Sequence, residues 1–132
     1  MKLVDQIVFN DTLGDCFRAC VASIFELPLE SVPNFWEQTQ EGKEFWELND
    51  KWARENLGHV CIPFEFNDGD TELVKDILCI ACAKSPRGKV DHAVVWKNGL
   101  IHDPHPSRDG LAETPNTFTL FIPLIPKKQP IK

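Results

Sequence analysis

No stretch of this sequence approaches the roughly 18 consecutive apolar residues that a membrane-spanning helix needs. Residues 1–15 lack the basic start and apolar core of a secretory signal, so a cytosolic protein is expected. An excess of basic residues is missing as well. The net charge of −6 favours solubility and argues against a general nucleic-acid surface. There is no internal repeat and no low-complexity segment. A disulfide framework is also absent: the five cysteines are odd in number and follow no regular spacing. In a cytosolic chain they are expected to be reduced thiols.

What is present suits one soluble domain. The 132 residues are enough for a hydrophobic core without disulfide or metal staples, and 42% of them are apolar. The domain is expected to span 1–125, with Pro126 to Lys132 as a frayed tail. Phe17, Cys20, Val21, Ile24 and Phe25 repeat at the spacing of one buried helix face, which predicts a helix over 16–27. Asp15 is placed to cap its start, and Pro28 stops it. Phe45, Leu48, Trp52 and Ala53 predict a second helix ending near Gly58.

Strand patterns follow. Val60, Ile62, Phe64 and Phe66 alternate with small or polar residues, and Pro63 makes that strand an edge. The continuous apolar run 77–83 reads as a central strand, with a short buried helix as the alternative. Strands over 90–97 and 100–103 are joined by Asn98-Gly99, a strong hairpin signal. Phe118, Leu120 and Ile122 mark one face of a last strand. Helices first and antiparallel strands second give an α+β class.

The hairpin has a geometric consequence. A two-residue turn pairs Lys97 with Leu100, so Val95 faces His102 and Val94 faces Asp103. His92 and Asp103 then share a face as diagonal neighbours, about 7–8 Å apart along the backbone. His102 points the other way.

Three residues thus stand where thiol chemistry would need them. Cys16 opens a helix, whose N-terminus favours a thiolate. His92 begins a strand and could supply an imidazole. Asp103 could fix the tautomer and orientation of that ring. The backbone N–H of Cys16 and the side-chain amide of Gln6 are candidate donors to an oxyanion. Arg87, in the turn Ser85-Pro86-Arg87-Gly88, could hold a substrate carboxylate or phosphate.

Other motifs carry less. Cys79-x-x-Cys82 with His92, His102 and His105 is a weak zinc pattern, because strand residues three apart face opposite ways. No metal and no cofactor is expected. Trp36, Trp46 and Trp52 read as packing residues, and Glu37, Glu41, Glu44 and Glu47 as a solvated face.

Gln6, Gly14-Asp15-Cys16 with Ala19 and Cys20, His92-Ala93-Val94-Val95 and Asp103-Pro104 together resemble the papain-like cysteine peptidase superfamily. They are most similar to double-glycine leader peptidase domains of bacterial peptide exporters, and to small bacterial and phage proteins of that type. The resemblance covers residues 6–107. It implies a papain-like fold with Cys16 as nucleophile, His92 as base, Asp103 as orienting residue and Gln6 as oxyanion donor. It further implies a peptide or protein substrate and a thiol-dependent hydrolase of peptide, isopeptide or side-chain amide bonds. Phe17 stands where the exporter peptidases have glycine. No exporter domain is expected to follow, and leader cleavage is not implied. Two other activities fit the superfamily. One is a papain-like binding module that sequesters a protein partner, and the other is an acyltransferase or deamidase.

Overall fold

The computed structural model describes residues 1–66 and 71–124. The expected tail, 126–132, lies outside them. Two α-helices come first among the described residues: α1, Cys16–Phe25, and α2, Gly42–Asn56. Five strands follow: β1, His59–Glu65; β2, Cys79–Lys84; β3, Asp91–Trp96; β4, Leu100–His102; and β5, Thr117–Pro123. They form one antiparallel sheet in the order β1-β5-β2-β3-β4. The class is α+β, with the helices N-terminal and the sheet C-terminal.

Helix α1 packs on β3 and β2, and α2 packs on β1. Phe17, Cys20 and Val21 of α1 meet Phe45 and Ala53 of α2 over Cys61, Ile80, Ala93 and Val95 of the sheet. Phe17 and Phe45 touch edge to face, with centroids 5.5 Å apart. The opposite face of the sheet has its own apolar cluster: Val74, Cys79, Ala81, Val94 and Phe118. Alternate residues of β2 and β3 therefore bury on both faces. That is why residues 77–83 read as an unbroken apolar run. Cys79 and Cys82 fall in different clusters and do not converge.

Several local expectations are corrected. The first helix ends at Phe25, because Glu26 turns left-handed at φ 56° and its N–H bonds Ala22 and Ser23 carbonyls. The buried residue of β1 is Cys61, while Phe64 is 38% exposed. The alternation expected from Val60 to Phe66 therefore has the opposite phase. The Cys61 face meets α2, whereas Phe66 packs on Phe118 beneath the other face. β1 is an edge strand, as Pro63 predicts. The hairpin keeps Val95 opposite His102 but pairs Trp96 with Leu100, so a bulge falls between them. Asn98 and Gly99 both take positive φ. The Asn98 side chain exchanges hydrogen bonds with Asp76, and that tertiary tie accompanies the departure from the two-residue turn.

Asp15 does not cap α1 with its side chain. Its carboxylate is buried and faces the N-terminal segment. Oδ1 accepts the N–H groups of Ile7 (3.0 Å) and Val8 (2.9 Å), and Oδ2 accepts Arg18 Nη1 (3.3 Å). Farther along α1, Ser23 Oγ accepts the Val4 N–H at 2.9 Å. Residues 4–8 are thus strapped along α1, which explains why Ala19, Ala22 and Ser23 are buried outside the expected apolar face.

Asp15→Ala orphans two backbone donors and takes the ion-pair partner from Arg18, which keeps only the Val32 carbonyl. It is expected to cost about 3 kcal/mol of stability, read as a lower urea midpoint at unchanged slope. Asp15→Asn keeps an acceptor at the same position and is expected to cost less.

Candidate active site

Gly14 precedes Cys16 by two residues, and a Cβ there would sit 2.8 Å from the Asn10 carbonyl oxygen. Only glycine lets the 10–14 loop fold back so tightly before α1 begins. Asn34 holds the same loop from the other side, donating from Nδ2 to the Leu13 carbonyl at 2.7 Å. Cys16 opens α1, where the first N–H groups have no partner within the helix. It is partly exposed, while Cys20, Cys61 and Cys79 are buried.

His92 is the second residue of β3 and is 5% exposed. Its Nε2 lies 2.6 Å from Asp103 Oδ1, and the Cys16 side chain lies near enough to act on the ring. With Nε2 held by the carboxylate, Nδ1 is the nitrogen left for the thiol. Burial alone would lower the His92 pKa. The hydrogen bond to Asp103 and the nearby Cys16 side chain outweigh burial and raise it from 6.5 to about 9.

Asp103 lies just beyond β4 and is buried. Burial would raise its pKa, but the His92 hydrogen bond and the N–H groups of His105 and Gly110 lower it to about 2. Those N–H groups lie 2.9 Å from Oδ1 and 2.7 Å from Oδ2. Gly110 has φ +72°, a backbone that favours glycine. Burial pushes the Cys61 and Cys79 thiols up to about 12 and raises those of Cys20 and Cys82 well above their ordinary value.

Cys16, His92, Gln6 and Arg87 all line one cleft of about 460 Å³. Gln6 is buried. Its backbone N–H bonds the Pro104 carbonyl at 3.0 Å, which places it between α1 and the loop after β4. Its Nε2 donates to the Val8 carbonyl at 2.9 Å, leaving a second amide proton, and Oε1 has no partner. Arg87 reaches Ser107 Oγ at 3.0 Å and lies 3.7 Å from Asp109. Trp36 stacks on Phe45 with centroids 3.9 Å apart and also lines the cleft, so it is a packing residue and a wall at once. Among the described residues no group of three or more His, Cys, Asp or Glu side chains is arranged to hold a metal ion.

The register put His92 beside Asp103 correctly, and His102 turns away to meet Asp5 at 3.0 Å. The supporting residues were missed. Asp5 and Arg108 form a two-pronged ion pair, 2.6 and 2.9 Å, and Arg108 also donates to the Asp103 carbonyl at 2.6 Å. No local pattern marks an aspartate near one end and an arginine near the other as partners. His105, which the sequence offers only within a weak zinc pattern, lines the cleft.

The chain matches no protein-family model, no curated protein and no solved structure. No helix among the described residues is long and apolar enough to cross a membrane.

The two shifts fix a pH window. Asp103 is lowered from 3.8, so its stabilisation is full above that value and is lost as pH falls through about 2. His92 is raised from 6.5, so its stabilisation is full below that value and is lost as pH rises through about 9. The buried thiols begin to cost stability only above their ordinary value of 9.0. Stability between pH 6.5 and 9 is therefore expected to decline in the wild type. His92→Ala is expected to be less stable at pH 6 and to lose much of that decline, as measured by urea unfolding across the pH range.

Proposed function

We propose that this chain is a papain-like thiol hydrolase acting on a peptide, isopeptide or side-chain amide bond. The observation that carries the reading is the 2.6 Å Asp103–His92 carboxylate–imidazole bond in the cleft that Cys16 also lines, with the thiol at a helix start. Nucleophilic catalysis needs that order: a nucleophile, a base in hydrogen-bond reach, and a group that orients the base. The reactive form of a cysteine is the thiolate, which helix N-termini and neighbouring imidazolium groups favour. The other described thiols lack that setting.

In this reading Cys16 passes its proton to Nδ1 of His92, Sγ attacks the acyl carbon, and the carbonyl π electrons move to oxygen. The Cys16 N–H and the free amide proton of Gln6 are the candidate donors to that oxyanion. His92, held through Nε2, gives the proton on Nδ1 to the leaving amine. The C–N bond breaks and a thioester remains on Cys16. Water, losing a proton to His92, then releases the acid and restores the thiol. The cleft bears both Asp and Arg side chains and an aromatic wall, a mixture suited to a polar chain such as a peptide.

The test is iodoacetamide labelling of each cysteine against pH, read by peptide mass spectrometry. Cys16 is expected to be modified fastest, at a pH where the four others stay unmodified, and His92→Ala is expected to slow it by roughly tenfold or more. A Cys16 that reacts like an ordinary thiol and ignores the mutation would leave the binding-module reading in its place.

A further inference from the structure

Two groups in the cleft are left without a task by the reaction just described. Arg87 uses one guanidinium nitrogen, Nη1, on Ser107 Oγ at 3.0 Å. The same nitrogen lies 3.7 Å from Asp109, whose side chain is 53% exposed, a geometry that holds the cation weakly. Nε and Nη2 of Arg87 have no partner among the described residues. His105 is the second group. Its Nδ1 accepts the Ser107 N–H at 3.0 Å, which fixes the tautomer and leaves the proton on Nε2. That proton also has no partner among the described residues.

The His105 ring is held firmly. Its backbone N–H bonds Asp103 Oδ1 at 2.9 Å, and its face meets Phe9 edge-on with centroids 5.2 Å apart. The ring lies 6.3 Å from the His92 ring, which places it next to the thiol chemistry. Ser107 joins the two groups, because it accepts from Arg87 and donates to His105. The result is a rigid pair of unspent donors, one of them a cation, on the wall of the cleft that holds Cys16.

We propose that Arg87 and His105 form a subsite for a single carboxylate on the substrate, beside the bond that is broken. This inference rests on the thiol-hydrolase reading. The free Nε–Nη2 edge of the guanidinium suits the two oxygens of a carboxylate, and the His105 Nε2–H adds a third donor. Burial and the Arg87 charge hold the His105 pKa below 6.5, with His92 acting in the same direction and Asp103 and Asp109 opposing. The ring is therefore a neutral donor at neutral pH. Asp11 and Asp91 line the same cleft. Their charge disfavours a dianion such as a phosphate and leaves room for one negative charge. The carboxylate has two sources, a chain-terminal carboxyl group or an Asp or Glu side chain.

The probe pair is iodoacetate and iodoacetamide, which differ in that one charge. In both, Sγ of Cys16 displaces iodide and forms an S–C bond. The ratio of the two rates, iodoacetate over iodoacetamide, is taken at neutral pH and compared with the same ratio for N-acetylcysteine amide. The wild-type ratio is expected to exceed that reference by about tenfold. Arg87→Met is expected to bring it near the reference, Arg87→Lys to keep part of it, and His105→Phe to lower it. A wild-type ratio at or below the reference would overturn the subsite, and so would a ratio that Arg87→Met leaves in place. The absolute iodoacetamide rate separately judges the thiol reading, because the ratio is measurable even at an ordinary thiol rate. Iodoacetamide labelling in the presence of N-acetylglycine or N-acetylglutamate α-amide identifies the source. Protection at lower concentration by the first indicates a chain-terminal carboxyl group, and by the second a side chain.

Discussion

A carboxylate taken out of water must have its charge answered on every side, and Asp103 organises the molecule around that requirement. One oxygen accepts the His92 ring and the His105 N–H, and the other accepts the Gly110 N–H. Its own carbonyl is bonded by Arg108. The loop from 103 to 110 therefore cannot take another course without stranding a buried charge, which is among the costliest changes a fold can suffer. That loop fixes the imidazole through one contact and sets the cleft wall through the next. The same constraint holds the site together and shapes the space in front of it.

The N-terminal segment provides the second level of order. It has no helix or strand of its own, yet Asp15 and Ser23 tie it along α1 while Gln6 and Asp5 tie it to the loop after β4. It bridges the element that carries the thiol and the loop that carries the carboxylate. Backbone groups in such a segment have no ladder to satisfy them, so side chains from elsewhere must do it. Two buried acceptors on one helix, seven to nineteen residues away in sequence, meet that need.

What could be read in advance followed from short-range rules. Helix spacing located Phe17 to Phe25, proline and glycine located the breaks, and pairing across the Asn98-Gly99 hairpin chose Asp103 over His102. The bulge near Trp96 left that choice intact because it falls on the turn side of Val95. The failures have one physical origin, which is contact between parts distant in sequence. Asp15 looks like a helix cap from its neighbours, and only the returning segment makes it an anchor. Cys61 looks like the open face of β1 until α2 is laid over it. The pairing of Asp5 with Arg108 has no local trace at all. Nor does any pattern in Phe118 to Ile122 reveal that this strand lies between β1 and β2.

That placement bears on how the molecule is assembled. β5 hydrogen-bonds β1 on one side and β2 on the other, so the two never touch directly. Without residues 117–123 the sheet would fall into two separate pieces. One is β1 under α2, and the other is the β2-β3-β4 meander under α1. Each exposes an unpaired edge where β5 will go, and such edges invite pairing with other chains. Sequence-distant pairing of this kind is slow to form. Cys16 lies on one of those pieces, and the last strand joins it to the other.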